Sequence, residues 1–229
     1  PMCAGSLALS ILALALALPL ALGTCTLAHL LGRGPFARLL SAMIHFMTSI
    51  PTVIYGFVSV FLLIPRLRDW FAVGSGFSLL AAVLTLSLLI LPTITLILQS
   101  RLAQLDPTLR LAAEAMGFTQ VQQMRCVLLP AASSGLAVAA ILGFGRAVGD
   151  TLISLMVAGN AAQFPTSLFA SMRTLTAHIG LVLATDSRSM AYQSVFAAGL
   201  LLFLLTGMVS LLIRKAGSKN GRVSHAKNF

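Results

Sequence analysis

Two residues of opposite charge stand four apart in an otherwise uncharged apolar stretch, Arg146 and Asp150 within GRAVGDTLISLMVAGN at 145–160. A guanidinium presents a planar fork of donors that holds an oxyanion bidentately. A carboxylate close by would temper that charge enough for the anion to leave again. On a continuous helix, positions four apart share a face, so the two side chains can also pair with each other. The plainer alternative is an ion pair that satisfies itself at a helix interface. Thr151 beside Asp150, together with Ser49, Thr52 and Tyr55, would offer hydroxyls to a passing oxyanion.

Other chemistries are poorly served. A phosphate-cradling GxxxxGK[ST] loop is missing from the sequence, so the chain does not hydrolyse ATP by the usual route. Intramembrane catalysis needs paired carboxylates, a Ser/Lys or Ser/His arrangement, or HExxH at depth, and Asp150 is the only carboxylate in any expected span. His29, His45 and His178 are too far apart in sequence to suggest a metal or a relay, and are read as loop or interface residues. Cys3, Cys25 and Cys126 are odd in number and scattered, which suggests neither a disulfide framework nor a metal site.

The elements that must position Arg146 and Asp150 are membrane helices. The 229 residues are 58% hydrophobic and 9% charged, with mean hydropathy +0.98. A soluble domain of this size lacks the interior to hide so much apolar surface. Apolar runs near 5–30, 39–64, 76–98, 131–158 and 190–213 are each long enough for a hydrocarbon slab of about 30 Å, which takes roughly 20 helical residues. None alternates at period two as barrel strands do. The expected fold is an all-α membrane protein of about five spans forming a single domain over 1–229. The first run has no basic residue before Arg33 and exceeds a signal-peptide core, so it reads as a retained helix, with a further segment upstream of Pro1 expected.

The net charge of +10 sits in short loops and in a basic tail at 214–229. Placing 99–130 in the cytoplasm collects ten basic residues there: Arg33, Arg38, Arg101, Arg110, Arg125, Arg214, Lys215, Lys219, Arg222 and Lys227. Only four, Arg66, Arg68, Arg173 and Arg188, then face outward. The positive-inside rule therefore favours a cytoplasmic tail and an extracytoplasmic 159–189 segment.

Arg146 lies fifteen residues into the 131–158 run, about 22 Å along it at 1.5 Å per residue. A charge at that depth costs roughly 2.5–3.5 kcal/mol on insertion scales and is normally retained for function. Pro51 and Gly56 introduce possible kinks in the second span.

The cytoplasmic stretch PTLRLAAEAMGFTQVQQMRCVLLP, 107–130, predicts two short amphipathic helices. Pro107 occupies a favoured first helical position and Gly117 a favoured stop. Such a knob can press on a partner without entering the membrane, or alternatively lie on headgroups. The stretch resembles the EAA loop of bacterial binding-protein-dependent ABC importers. Ala112 and Ala113 match its alanines, Gly117 its glycine, and Val127, Leu129 and Pro130 its closing motif. Leu111 departs from the family's glutamate, while Glu114 offers a carboxylate on a different face. The resemblance implies that Ala112, Ala113, Glu114, Gly117, Leu129 and Pro130 couple the subunit to an ATPase.

Further stretches are similar to the phosphate-specific subgroup, the PstC and PstA type of permease. SIPTVIYGF at 49–57, the 145–160 stretch and RTLTAHI at 173–179 carry that likeness. Asp150 stands where the subgroup has glutamate. The resemblance implies a MetI-like importer core in the bacterial inner membrane and an inorganic phosphate pathway through Arg146, Asp150, Thr151, Ser49 and Tyr55. It also implies a second related permease subunit, an ATP-binding subunit dimer that binds ATP and Mg, and an extracytoplasmic phosphate-binding protein. This chain itself is expected to carry no cofactor or metal and to bind no nucleic acid. Permeases for molybdate, sulfate or phosphonate share the loop and stand as the alternative. A structural membrane subunit without transport would explain the apolar spans alone.

Overall fold

The computed structural model describes residues 1–30, 32, 34–72, 74–105, 107–184 and 190–225, with 190, 191 and 212–225 described by backbone alone. Arg33, Arg188 and Lys227, counted above toward topology, lie outside the described residues. In chain order the helices are α1 (Met2–Leu30), α2 (Pro35–Ser49), α3 (Thr52–Phe71), α4 (Leu79–Ala103), α5 (Pro107–Ala115), α6 (Gln120–Ala131), α7 (Ser133–Gly149), α8 (Leu152–Val157), α9 (Leu175–Leu183) and α10 (Met190–His225). Among the described residues three are long and apolar enough to cross a membrane, α1, α4 and part of α10, and the count rises to five if each of two broken pairs is one span.

The breaks fall where hydropathy predicts continuous helices over 39–64 and 131–158. The first comes at Ile50–Pro51. Proline brings no amide hydrogen, and its ring disfavours the α conformation in the residue before it, so α2 stops and α3 restarts after Pro51 at φ −57°, ψ 142°. The second divides the 131–158 run into α7 and α8, and a further bend of 73° separates α6 from α7. Because the residues flanking these breaks are mostly apolar, a hydropathy window passes over them. Ser59–Leu63 in α3 and Gln123–Leu128 in α6 are π-helical, and each runs up to two residues before a proline, Pro65 or Pro130. Widening the turn relieves the clash between a proline ring and the carbonyl one turn earlier.

The chain divides into two compact units. The first comprises 1–16, 50–90 and 144–210. Its core includes Leu86, Leu89, Ile90, Ile153, Val157 and Met172, each at most 2% exposed. An irregular stretch between α8 and α9 satisfies the amino end of α4: the amides of Ser78, Leu79 and Leu80 donate to the carbonyls of Val157, Ala170 and Leu168 at 3.2, 3.0 and 2.7 Å. Helix starts leave such donors without intrahelical partners, and non-helical backbone at membrane depth persists where protein satisfies it.

The second unit comprises 17–49, 91–143 and 211–229, with Ile94, Leu98, Met124 and Leu128 in its core. Along α1, Ala13, Ala17, Ala21 and Cys25 form a buried stripe every fourth residue, small enough for a neighbouring backbone to approach closely. Hydroxyls in the long helices bond to the carbonyl one turn back, as Thr24 does to Leu20, Thr85 to Ala81 and Thr95 to Leu91. This is how a polar side chain is satisfied where water is scarce.

Candidate functional site

In the first unit, Arg146 occupies the last turn of α7, and the helix ends at Gly149. Asp150 follows outside the helix and turns its carboxylate forward to accept the Ile153 amide at 2.9 Å, capping the start of α8. With the helix ended between them, the shared face expected of positions four apart does not exist. Arg146 and Asp150 therefore do not form the ion pair that the spacing would allow; among the described residues the ion pair present joins Arg68 to Asp69. The Arg146 side chain is exposed and Asp150 half-buried. A guanidinium left uncommitted on the surface of a membrane subunit is available to a ligand.

Tyr55 joins this corner from α3. Gly56 next to it permits the approach of α3 to α8, since a Cβ there would lie 2.7 Å from the Met156 sulfur. Thr151 is half-buried and its carbonyl accepts the Leu155 amide at 2.9 Å and the Ser154 hydroxyl at 3.0 Å. Four of the five expected pathway residues, Arg146, Asp150, Thr151 and Tyr55, thus share the first unit. Ser49 belongs to the second unit, at the end of α2, where its hydroxyl bonds back to the His45 carbonyl at 3.3 Å.

The knob lies in the second unit. After α5, Gly117 adopts φ +76°, the left-handed conformation that glycine enters without a Cβ penalty. The Gly117 amide donates to the Glu114 carbonyl at 2.9 Å and the Phe118 amide to the Ala113 carbonyl at 3.1 Å, a Schellman closure of the helix. Thr119 then opens α6 with a capping box: its hydroxyl accepts the Gln122 amide while the Gln122 side chain accepts the Thr119 amide at 2.9 Å. The Gln123 side chain ties α6 to α5 by donating to the Arg110 carbonyl at 3.0 Å.

Of the expected coupling residues, Ala113 is buried and packs the knob, Leu129 is half-buried, and Ala112, Glu114, Gly117 and Pro130 are exposed. Leu111, Met116 and Val121 are also exposed, Leu111 by 64% and Met116 by 72%. Met116 and Val121 escaped the sequence reading, although their apolar character in a loop expected to face the cytoplasm is a usable signal. An apolar outer face suits a protein partner.

The three histidines differ in setting. His45 is exposed and His29 half-buried, but His178 is buried within α9, its Nε2 2.8 Å from the Ser194 hydroxyl. Among the described residues no group of three or more His, Cys, Asp or Glu side chains is placed to hold a metal ion.

Residues 20–218 match the family of binding-protein-dependent transport system inner membrane components. The chain is similar to the probable ABC transporter permease protein YqgH of Bacillus subtilis (strain 168), at 36% identity over 96% of this chain and 71% of the relative. It is also similar to the phosphate transport system permease protein PstC of Mycobacterium leprae (strain TN), at 30% identity over 93% of this chain and 73% of the relative. Among solved structures, an inward-facing MetNI methionine ABC transporter chain superposes with TM-score 0.72 at 23% identity, covering 93% of each chain. A chain of an amino acid ABC transporter superposes with TM-score 0.65 at 18% identity, covering 93% of this chain and 89% of the other. At such identities these structures speak for a common fold alone.

Proposed function

The chain belongs to the family of binding-protein-dependent transport system inner membrane components, and from that premise we propose that its Arg146 corner gates a pathway for inorganic phosphate. It is a membrane-spanning permease subunit of an ABC importer. The observation that carries the gate is Arg146 itself, exposed at the end of α7 and, among the described residues, without an ion pair, with Asp150 four residues on. A bidentate guanidinium captures a tetrahedral oxyanion as it passes, and the nearby carboxylate keeps the capture weak enough for release. Tyr55 and Thr151, in the same unit as Arg146, would add hydroxyls to that path.

Phosphate is favoured over molybdate, sulfate or phosphonate by the permeases named for phosphate transport among its relatives. The importer would comprise this subunit, a second related permease, an ATP-binding subunit dimer that holds ATP and Mg, and an extracytoplasmic phosphate-binding protein, all at a bacterial inner membrane. The knob around Gly117 would dock the ATPase through Ala112, Glu114, Leu129 and Pro130. In a strain lacking its native phosphate importer, the complete system should restore radiolabelled phosphate uptake, and omission of this subunit should remove it. Uptake of molybdate or sulfate in place of phosphate would reassign the substrate.

The same assembly fixes which side each segment faces. With Cys3, Cys25 and Cys126 replaced, a cysteine at position 167 should react with an impermeant thiol reagent in intact cells, and one at 218 should not. Ser167 sits exposed in the segment proposed to meet the binding protein, whereas position 218 follows the last span among the basic residues of the tail. The opposite labelling pattern would invert the topology.

A further inference from the structure

The RTLT stretch does more than join two helices. Ser154, Thr174 and Thr176 are between 1 and 4% exposed, and their hydroxyls form one network. Thr176 Oγ1 donates to the Asp150 carbonyl at 3.0 Å, and the Ser154 hydroxyl reaches the same oxygen at 3.3 Å and the Thr151 carbonyl at 3.0 Å. Thr174 Oγ1 lies 3.0 Å from both Ser154 Oγ and Thr176 Oγ1, and accepts the Ala177 amide at 3.1 Å as the cap of α9. The Thr174 hydroxyl donates to Ser154 Oγ, and in its contact with Thr176 either hydroxyl can be the donor. The network converges on the backbone between α7 and α8, where Arg146 and Asp150 diverge.

The start of α9 is itself held from two further directions. The Leu175 amide donates to Ser6 Oγ of α1 at 2.8 Å, and Arg173 Nε donates to the Asn160 carbonyl at 2.8 Å. Gly5 lets α1 come this close, because a Cβ there would lie 2.6 Å from the Arg173 carbonyl oxygen. A buried, hydrogen-bonded polar cluster is rigid, since a broken bond finds no water to replace it.

We propose that Thr174, Thr176 and Ser154 are positioning residues for transport, fixing the α7–α8 break so that Arg146 and Asp150 face the anion without pairing. The proposal rests on the gate reading above. They touch no substrate; they act through the Asp150 carbonyl. The extracytoplasmic segment thereby becomes the element through which binding-protein docking is felt at the gate.

The test uses the complete importer in cells, with uptake expressed per assembled complex. Thr176→Val keeps the shape and loses the hydroxyl; it should lower the maximal phosphate uptake rate about tenfold, because Arg146 and Asp150 are no longer held toward the passing anion. Thr176→Ser should restore the rate, and Ser154→Ala should reproduce the loss. Wild-type rates in both Thr176→Val and Ser154→Ala overturn the proposal, as does a serine variant no better than valine. So does a loss confined to subunit abundance with the rate per complex preserved, which assigns the hydroxyls to folding. Arg146→Gln measured alongside separates the two levels: if it transports normally the gate fails, whereas a dead Arg146→Gln beside a normal Thr176→Val removes the positioning role alone.

Discussion

Gly117→Trp is expected to abolish phosphate uptake and copurification of the ATPase while the subunit remains in the membrane. Gly117 closes α5 at φ +76°, where a side chain costs about 1–2 kcal/mol. That penalty is too small to unfold a membrane subunit. A Cβ at this position meets nothing within 4 Å, so the indole would project from the knob onto whatever docks there. The large effect expected is thus on association. Gly117→Asn, which tolerates the left-handed conformation, should retain most uptake, and Gly117→Pro should behave like tryptophan because proline fixes φ near −65°. If the ATPase copurifies and uptake survives with Gly117→Trp, the knob does not couple ATP hydrolysis to transport.

The knob was legible because its signals are local. Pro107 starts a helix and Gly117 ends it, within eleven residues, although the capping box of Thr119 and Gln122 that starts the next went unread. Membrane helices were legible for the opposite reason, since apolar runs of twenty residues announce themselves whatever surrounds them. The break between α7 and α8 lies between these cases. No proline marks it, and the apolar run continues to Ala158, so periodicity gives one helix with Arg146 and Asp150 on one face. What ends α7 includes the carboxylate of Asp150 turned to the Ile153 amide and the hydroxyl of Thr176, twenty-six residues away, on the Asp150 carbonyl. The bond from Leu175 to Ser6 spans 169 residues. Pairings of that range leave no trace in spacing, although the threonines themselves were visible in RTLT. Pro51 was recognised as a kink, but whether a proline bends a helix or divides it depends on the packing around it.

Arg146→Gln is expected to reduce phosphate uptake by roughly a hundredfold, the loss appropriate to two charge-assisted hydrogen bonds to an oxyanion. Glutamine keeps some hydrogen bonding but not the charge that attracts phosphate. The geometry separates this result from a loss of stability. Removing one partner of a buried ion pair strands the other charge and destabilises strongly, but Arg146 is exposed and forms no ion pair with Asp150. Subunit abundance should therefore be unchanged in Arg146→Gln. Asp150→Asn retains an oxygen for the Ile153 amide, so α8 stays capped, and it should impair uptake less than Arg146→Gln because it removes the group that moderates the arginine while leaving the attracting charge. Asp150→Ala removes cap and carboxylate together and should cost stability of about 1 kcal/mol in addition. Uptake by Arg146→Gln at the wild-type rate would end the gate assignment. Lower abundance in both Arg146→Gln and Asp150→Asn, recovered in the charge-free double variant, would instead reveal a structural ion pair formed in another state of the importer.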